Sequence, residues 1–234
     1  MRGVTRALAG ELALNRDYLW KLALMWVFVA ATLSLGLGTL LPVPGLLVLT
    51  TFISVGSNSS MQDDANRWAA FRLCGPLTRR DVVVGRFLYV LLIALAAVGV
   101  GVAMVALMAS LGVHDKSALS RVLGAGDVAV ITTATAALFC YGSLFGVVNL
   151  TCHFAMGATG TARWLPTIMV LLCLAPFVAS GFSPAVRGAL QAGMGWLMSP
   201  GMLVPFSAGC VAASLALLAV GVVLSDRLYA RRDL

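Results

Sequence analysis

Two histidines and two lysines are all that this 234-residue sequence has of either type, and charge of any sign is scarce, with Asp, Glu, Lys and Arg making up 11% of it. The scarcity removes whole classes of chemistry. His114 and His153 stand in no H-E-x-x-H or other metal-ligand spacing. Cys152 and His153 are neighbours, but adjacent residues on a helix point apart, and two ligands do not make a metal site. The five cysteines, Cys74, Cys140, Cys152, Cys173 and Cys210, show no C-x-x-C spacing, and an odd number does not close into a set of disulfides. Small buried hydrophobes are their expected role. Neither Lys21 nor Lys116 follows a glycine-rich turn, so the chain has no Walker A loop and any nucleotide falls to a partner. A membrane enzyme would need a buried nucleophile with a base, or paired carboxylates within reach, and the acidic pair Asp63 and Asp64 sits at the boundary of an apolar run. The chain is therefore expected to have no catalytic residue, no metal and no cofactor of its own.

What fills the sequence instead is apolar: 60% of it is hydrophobic. Stretches free of Asp, Glu, Lys and Arg run roughly over Leu22 to Leu41, Val43 to Ser60, Phe87 to Leu111, Val128 to Thr151, Trp164 to Val186 and Met202 to Ser225. Each is close to the ~20 residues that cross a bilayer as a helix. The first two are separated only by Pro42, Val43 and Pro44, a breaker that demands a tight hairpin. The fold class expected is all-α, a polytopic membrane protein of six transmembrane helices. Residues 1–234 form a single domain, since no internal repeat and no room for a soluble domain is visible.

Basic residues set the orientation. With the N-terminus inside, thirteen of the sixteen Lys and Arg residues fall on the cytoplasmic side, and only Lys116, Arg121 and Arg187 fall outside. That favours N-in and C-in, which an even number of spans also requires, and places the chain in the cytoplasmic membrane. The net charge of +7 lies at the ends of apolar runs rather than on one soluble face, so nucleic acid is not an expected partner. Membrane lipid is.

The spans hold no ionisable Asp, Glu, Lys or Arg, which counts against a proton-driven carrier. Thr132, Thr133, Thr135 and Ser143 offer oxygens, either for a sodium ion or for ordinary bonds to helix backbone. Gly142 and Gly146 place two small residues on one side of the fourth span, for close packing inside the chain or against another subunit. Glu11 and Asp17 precede the first long apolar run, which is too long for a signal-peptide core, so no cleaved segment is expected. Residues 1–16 read as an interfacial helix with Val4, Leu8 and Leu12 on one stripe, or else as a disordered basic tail. Val186, Leu190, Met194 and Leu197 outline a short outer helix before Ser199, Pro200 and Gly201.

The densest cluster of charge lies between the second and third runs. It holds Asp63, Asp64, Arg67, Trp68, Phe71, Arg72, Pro76, Leu77, Thr78, Arg79, Arg80, Asp81 and Arg86. A short amphipathic helix here, anchored by Trp68 and Phe71 and ringed by arginines, would dock into a groove on a cytosolic subunit; the alternative is a basic loop that fixes topology and touches lipid phosphates. The order of residues resembles the cytoplasmic loop of ABC-2 type transporter permeases: an acidic pair (Asp63, Asp64), an aromatic (Trp68), a Leu-x-x-Pro-Leu-Thr-Arg turn (Leu73, Pro76, Leu77, Thr78, Arg79), a Val-rich run (Val82 to Val84) and a basic residue before the third span (Arg86). Cys74 and Gly75 stand where a Ser and an apolar residue are more usual, and Arg86 stands for a frequent Lys.

The resemblance implies an ATP-driven transporter subunit, an exporter by family tendency, paired with a second permease chain as homodimer or heterodimer. Separate ABC ATPase subunits would bind ATP and Mg. Residues 61–83 would be the coupling segment, with Asp63, Asp64, Arg67, Trp68, Phe71, Arg72, Pro76, Leu77, Thr78, Arg79 and Arg80 as partner-binding residues. The cargo would be hydrophobic or amphipathic, such as a peptide, lipid or drug. From a different class, a non-transporting membrane protein that sequesters such a molecule or confers immunity fits the same composition.

Overall fold

The computed structural model describes residues 2–37, 43–65, 77–110, 125–182 and 201–230, with the single residues 188, 192 and 199. Among these nearly all residues are helical and none is in a strand: α1 (Arg2–Leu14), α2 (Arg16–Leu37), α3 (Val43–Ala65), α4 (Arg79–Ser110), α5 (Ala125–Phe182) and α6 (Leu203–Ala230). Three stretches of the described residues, Arg79–Met108, Val128–Gly157 and Leu203–Ala230, are long and apolar enough to cross a membrane, and Val43–Ser59 is a shorter apolar helix. Helices are what such sequences must form in hydrocarbon, where no water is present to satisfy backbone N–H and C=O groups. The surface agrees with that solvent: Phe28, Leu95, Val204 and Val220 are each more than half exposed, a display of apolar side chains that lipid accepts and water does not. Pro42 and nearly all of the expected outer helix, Val186 to Leu197, lie outside the described residues.

Two boundaries differ from the sequence reading. The third apolar run begins at Phe87, but its helix begins at Arg79, so the end of the expected coupling segment is already the first turn of α4. The fourth and fifth runs share one element. At 1.5 Å per residue a straight rod of 58 residues would reach roughly 87 Å, far beyond a hydrocarbon core of about 30 Å. Gly157 breaks it, with φ 77° and ψ 178°, a backbone region open essentially to glycine alone. The break falls between the two expected spans, with Arg163 following it.

Packing is intimate where residues are small. α5 lies against both α3 and α6, α4 packs on α3, and α1 packs chiefly on α4. A Cβ added at Gly142 or Gly146 would stand 2.8 or 2.7 Å from the ring of Phe52, which is fully buried and meets Phe139 edge-on at 5.3 Å. The glycine pair thus serves packing within the chain, between α3 and α5. Polar side chains stitch the same seams. Trp26 donates its indole N–H to Thr51 at 3.0 Å, while the hydroxyls of Thr133 and Ser207 lie 3.0 Å apart and those of Thr151 and Ser225 3.2 Å apart. Thr132 and Ser143 donate to the backbone carbonyls of Val128 and Cys140, the ordinary use of hydroxyls in membrane helices.

Gly157→Ala is expected to destabilise the protein by about 1–3 kcal/mol, because the new side chain is strained at this φ and ψ whatever space surrounds it. Thermal unfolding in detergent measures the loss, and an unchanged melting temperature would show that the break relaxes freely.

Candidate functional site

Sequence position alone makes Arg86 a flanking charge, yet it is fully buried. A guanidinium is effectively always protonated, so a charge here demands an answer. Glu11 of α1, 2% exposed, supplies it. Arg86 Nε and Nη2 both donate to Glu11 Oε1, at 3.2 and 3.1 Å. The second carboxylate oxygen, Oε2, accepts from Ser59 Oγ of α3 at 3.2 Å and from Asn15 Nδ2 at 3.4 Å. Asn15, at the corner between α1 and α2, also donates to the Glu11 carbonyl at 2.9 Å and accepts from Asn58 Nδ2 at 3.2 Å. One ion pair therefore binds α1, the α1–α2 corner, α3 and α4 together.

α1 reaches this position because its inward stripe is small. Gly3 faces the Asp81 carboxylate, where an added Cβ would collide, and Ala7 faces Gly85, where an added Cβ would come within 2.7 Å. Glu11 and Asn15 continue the same line at intervals of four residues and are buried with Ala7. The apolar stripe noted in the sequence, Leu8 and Leu12, packs beside it, partly buried against the core.

The start of α4 is built as a reciprocal cap. Thr78 Oγ1 accepts from the Asp81 backbone N–H at 3.1 Å, and Asp81 Oδ2 accepts from the Thr78 backbone N–H at 3.2 Å and from its hydroxyl at 2.8 Å. The T-x-x-D spacing is a capping box with Asp in place of the usual Glu. Arg79 then reaches across to the end of α6, donating to the carbonyls of Tyr229 and Ala230 at 3.0 and 3.1 Å. A cation there answers the unsatisfied carbonyls and the negative end of the helix. Its guanidinium also lies 5.6 Å from the Tyr229 ring. Tyr229 meets Phe154 of α5 at a tilt of 59°, with ring centroids 5.2 Å apart, and the Phe154 ring lies 5.6 Å from the Arg86 guanidinium. A continuous line of contacts runs from Arg79 through Tyr229 and Phe154 to Arg86, Glu11 and Ser59.

The predicted partner-binding residues divide three ways. Asp63 and Asp64 fall in the last turn of α3. Arg67, Trp68, Phe71, Arg72 and Pro76 lie outside the described residues, as does any coupling helix they form. Leu77 and Arg79 are half-buried, and Thr78 and Arg80 are exposed. Glu11, Asn15, Asn58 and Ser59 were not singled out as site residues; the signal was Gly3, Ala7, Glu11 and Asn15 at a strict spacing of four, with polar Asn58 and Ser59 closing an apolar run. Among the described residues, no three His, Cys, Asp or Glu side chains converge as a metal site would need.

A double-mutant cycle tests the pair. Arg86→Met, which leaves Glu11 buried without its cation, is expected to cost about 3–5 kcal/mol, whereas E11Q/R86M, with no charge left, costs distinctly less. Additive losses in unfolding would show that the two side chains are not coupled.

The match to known families covers nearly all of this architecture: a family model described as ABC-2 family transporter protein fits residues 11–229. No curated protein and no solved structure matches the chain.

Proposed function

This chain belongs to the ABC-2 family of transporter proteins, and from that premise we propose that it is the permease subunit of an ATP-driven exporter in the cytoplasmic membrane. The observation that carries the reading is the family match from Glu11 to Tyr229, which takes in the last turn of α1, the charged connection after α3 and nearly all of α6. In this reading the chain has six spans with both ends in the cytoplasm. Beyond the three long apolar helices, the remaining spans come from α2, α3 and the limb of α5 after Gly157, and the bias of Lys and Arg supports the orientation.

Two permease chains would enclose the cargo path, and separate ABC ATPases would bind and hydrolyse ATP with Mg. Closure of the ATPases would push on the segment between α3 and α4 and switch the path between faces of the membrane. Asp63, Asp64, Arg67, Trp68, Phe71, Arg72 and Arg80 would form the docking surface. Arg79 is committed to the end of α6, so its effect on docking would be indirect. The apolar walls suit a hydrophobic or amphipathic cargo such as a peptide, lipid or drug.

Purification in detergent with the ABC ATPase encoded nearest to it is expected to give co-elution, lost on W68A/R80E substitution. Arg80 is exposed, so Arg80→Glu alone is expected to shift folding stability by no more than about 0.5 kcal/mol while weakening recovery of the ATPase. Failure of the folded wild-type chain to recruit any ATPase would transfer the reading to a sequestering or immunity protein.

A further inference from the structure

The segment proposed to meet the ATPase leaves α3 after Ala65 and enters α4 at Arg79, and one polar cluster grips both helices about two turns inside those ends. On the exit side, Ser59 and Asn58 bond to Glu11 and Asn15. On the entry side, Arg86 lies two helical turns beyond the Thr78–Asp81 cap and bonds to Glu11 again. Among the described residues, Glu11 accepts from both helices, Ser59 of α3 and Arg86 of α4, and it belongs to neither. It belongs to α1.

We propose that Glu11 and Arg86 are the positioning pair of the transport cycle, locking α1 to the first turns of α4 so that the two move as one body when the α3–α4 segment is pushed. The inference rests on the transporter reading above. Its physical basis is that a buried pair is a poor adhesive, since withdrawing two ions from water costs several kcal/mol each, which their attraction repays only in one good geometry. What the pair supplies is register. Two N–H groups share one carboxylate oxygen while Ser59 and Asn15 occupy the other, an arrangement complete at one setting of α1 along α4. The neighbouring contacts, Gly3 on Asp81 and Ala7 on Gly85, bring the backbones close but bury little apolar area, so they resist sliding weakly by themselves.

The test uses the complete complex with its ATPase in lipid nanodiscs. Site-specific nitroxide pairs are placed at exposed positions, Gly10 with Leu88 and Gly10 with Val204, and their distances are read with and without ATP, Mg and vanadate. The expected result is a Gly10 to Leu88 distance that does not respond to nucleotide and a Gly10 to Val204 distance that does. In E11Q/R86M the first distance should become nucleotide-dependent, and stimulation of the ATPase by the permease should fall about fivefold or more, the low end of typical coupling between sites.

The inference is overturned if Gly10 and Leu88 separate in the wild-type complex, if Gly10 and Val204 keep one distance, or if the neutral variant retains full stimulation and a fixed α1. Should the neutral variant not fold, the wild-type distances decide alone. If the wild-type chain recruits no ATPase, the transporter reading and the inference fall together, whereas an assembled complex in which α1 parts from α4 sinks only the inference.

Discussion

A guanidinium that no pH neutralises sits where no solvent reaches, and the arrangement of helices at that end of the bundle follows from the need to answer it. Arg86 requires an anion, so Glu11 must be buried with it. Glu11 has a second oxygen, so Ser59 and Asn15 must be within reach. Asn15 has its own amide oxygen, so Asn58 must face it. Each requirement recruits another element until α1, the corner before α2, α3 and α4 are bound through one carboxylate. Phe154 of α5 offers its ring face to the same cation, which extends the constraint to α5.

The rest of the structure is held by weaker and more distributed forces. Lipid tails are as apolar as leucine, so burying leucine against leucine gains little in a bilayer, and helices associate through close fit and interhelical hydrogen bonds worth on average about 0.6 kcal/mol each. The seams between α3, α5 and α6 show both devices: Phe52 lodged on Gly142 and Gly146, and hydroxyl pairs at Thr133–Ser207 and Thr151–Ser225. The charged cluster is the exception, directional and costly to break, and it ties α1 to the halves of α3 and α4 that lead to their connection.

The same contrast gives meaning to the Thr-Arg-Arg-Asp turn. Within the family resemblance Thr78 and Arg79 are motif positions; in the structure Thr78 opens α4 by capping it with Asp81, and Arg79 closes α6 by satisfying its last carbonyls. Two helix ends of opposite polarity are thereby fixed side by side. Arg80, between Arg79 and Asp81, is left exposed. A single short stretch thus combines anchoring and display.

Much of this was readable in advance. The apolar runs, the scarcity of charge inside them and the order of residues from Asp63 to Arg86 determine a helical membrane protein and its family, because hydrocarbon permits few structures and those require long, uncharged segments. The break near Gly157 was visible as a gap between two runs, though only φ and ψ showed that one glycine makes it. The ion pair was not readable. Glu11 and Arg86 are separated by 75 positions, each looks like an ordinary interfacial charge beside an apolar run, and no local pattern says that one will meet the other. Composition is a property of a segment and decides which solvent it enters. Pairing is a property of two segments brought together, and only the close approach of α1 to α4, made by Gly3, Ala7 and Gly85, decided that these two charges would be buried against each other.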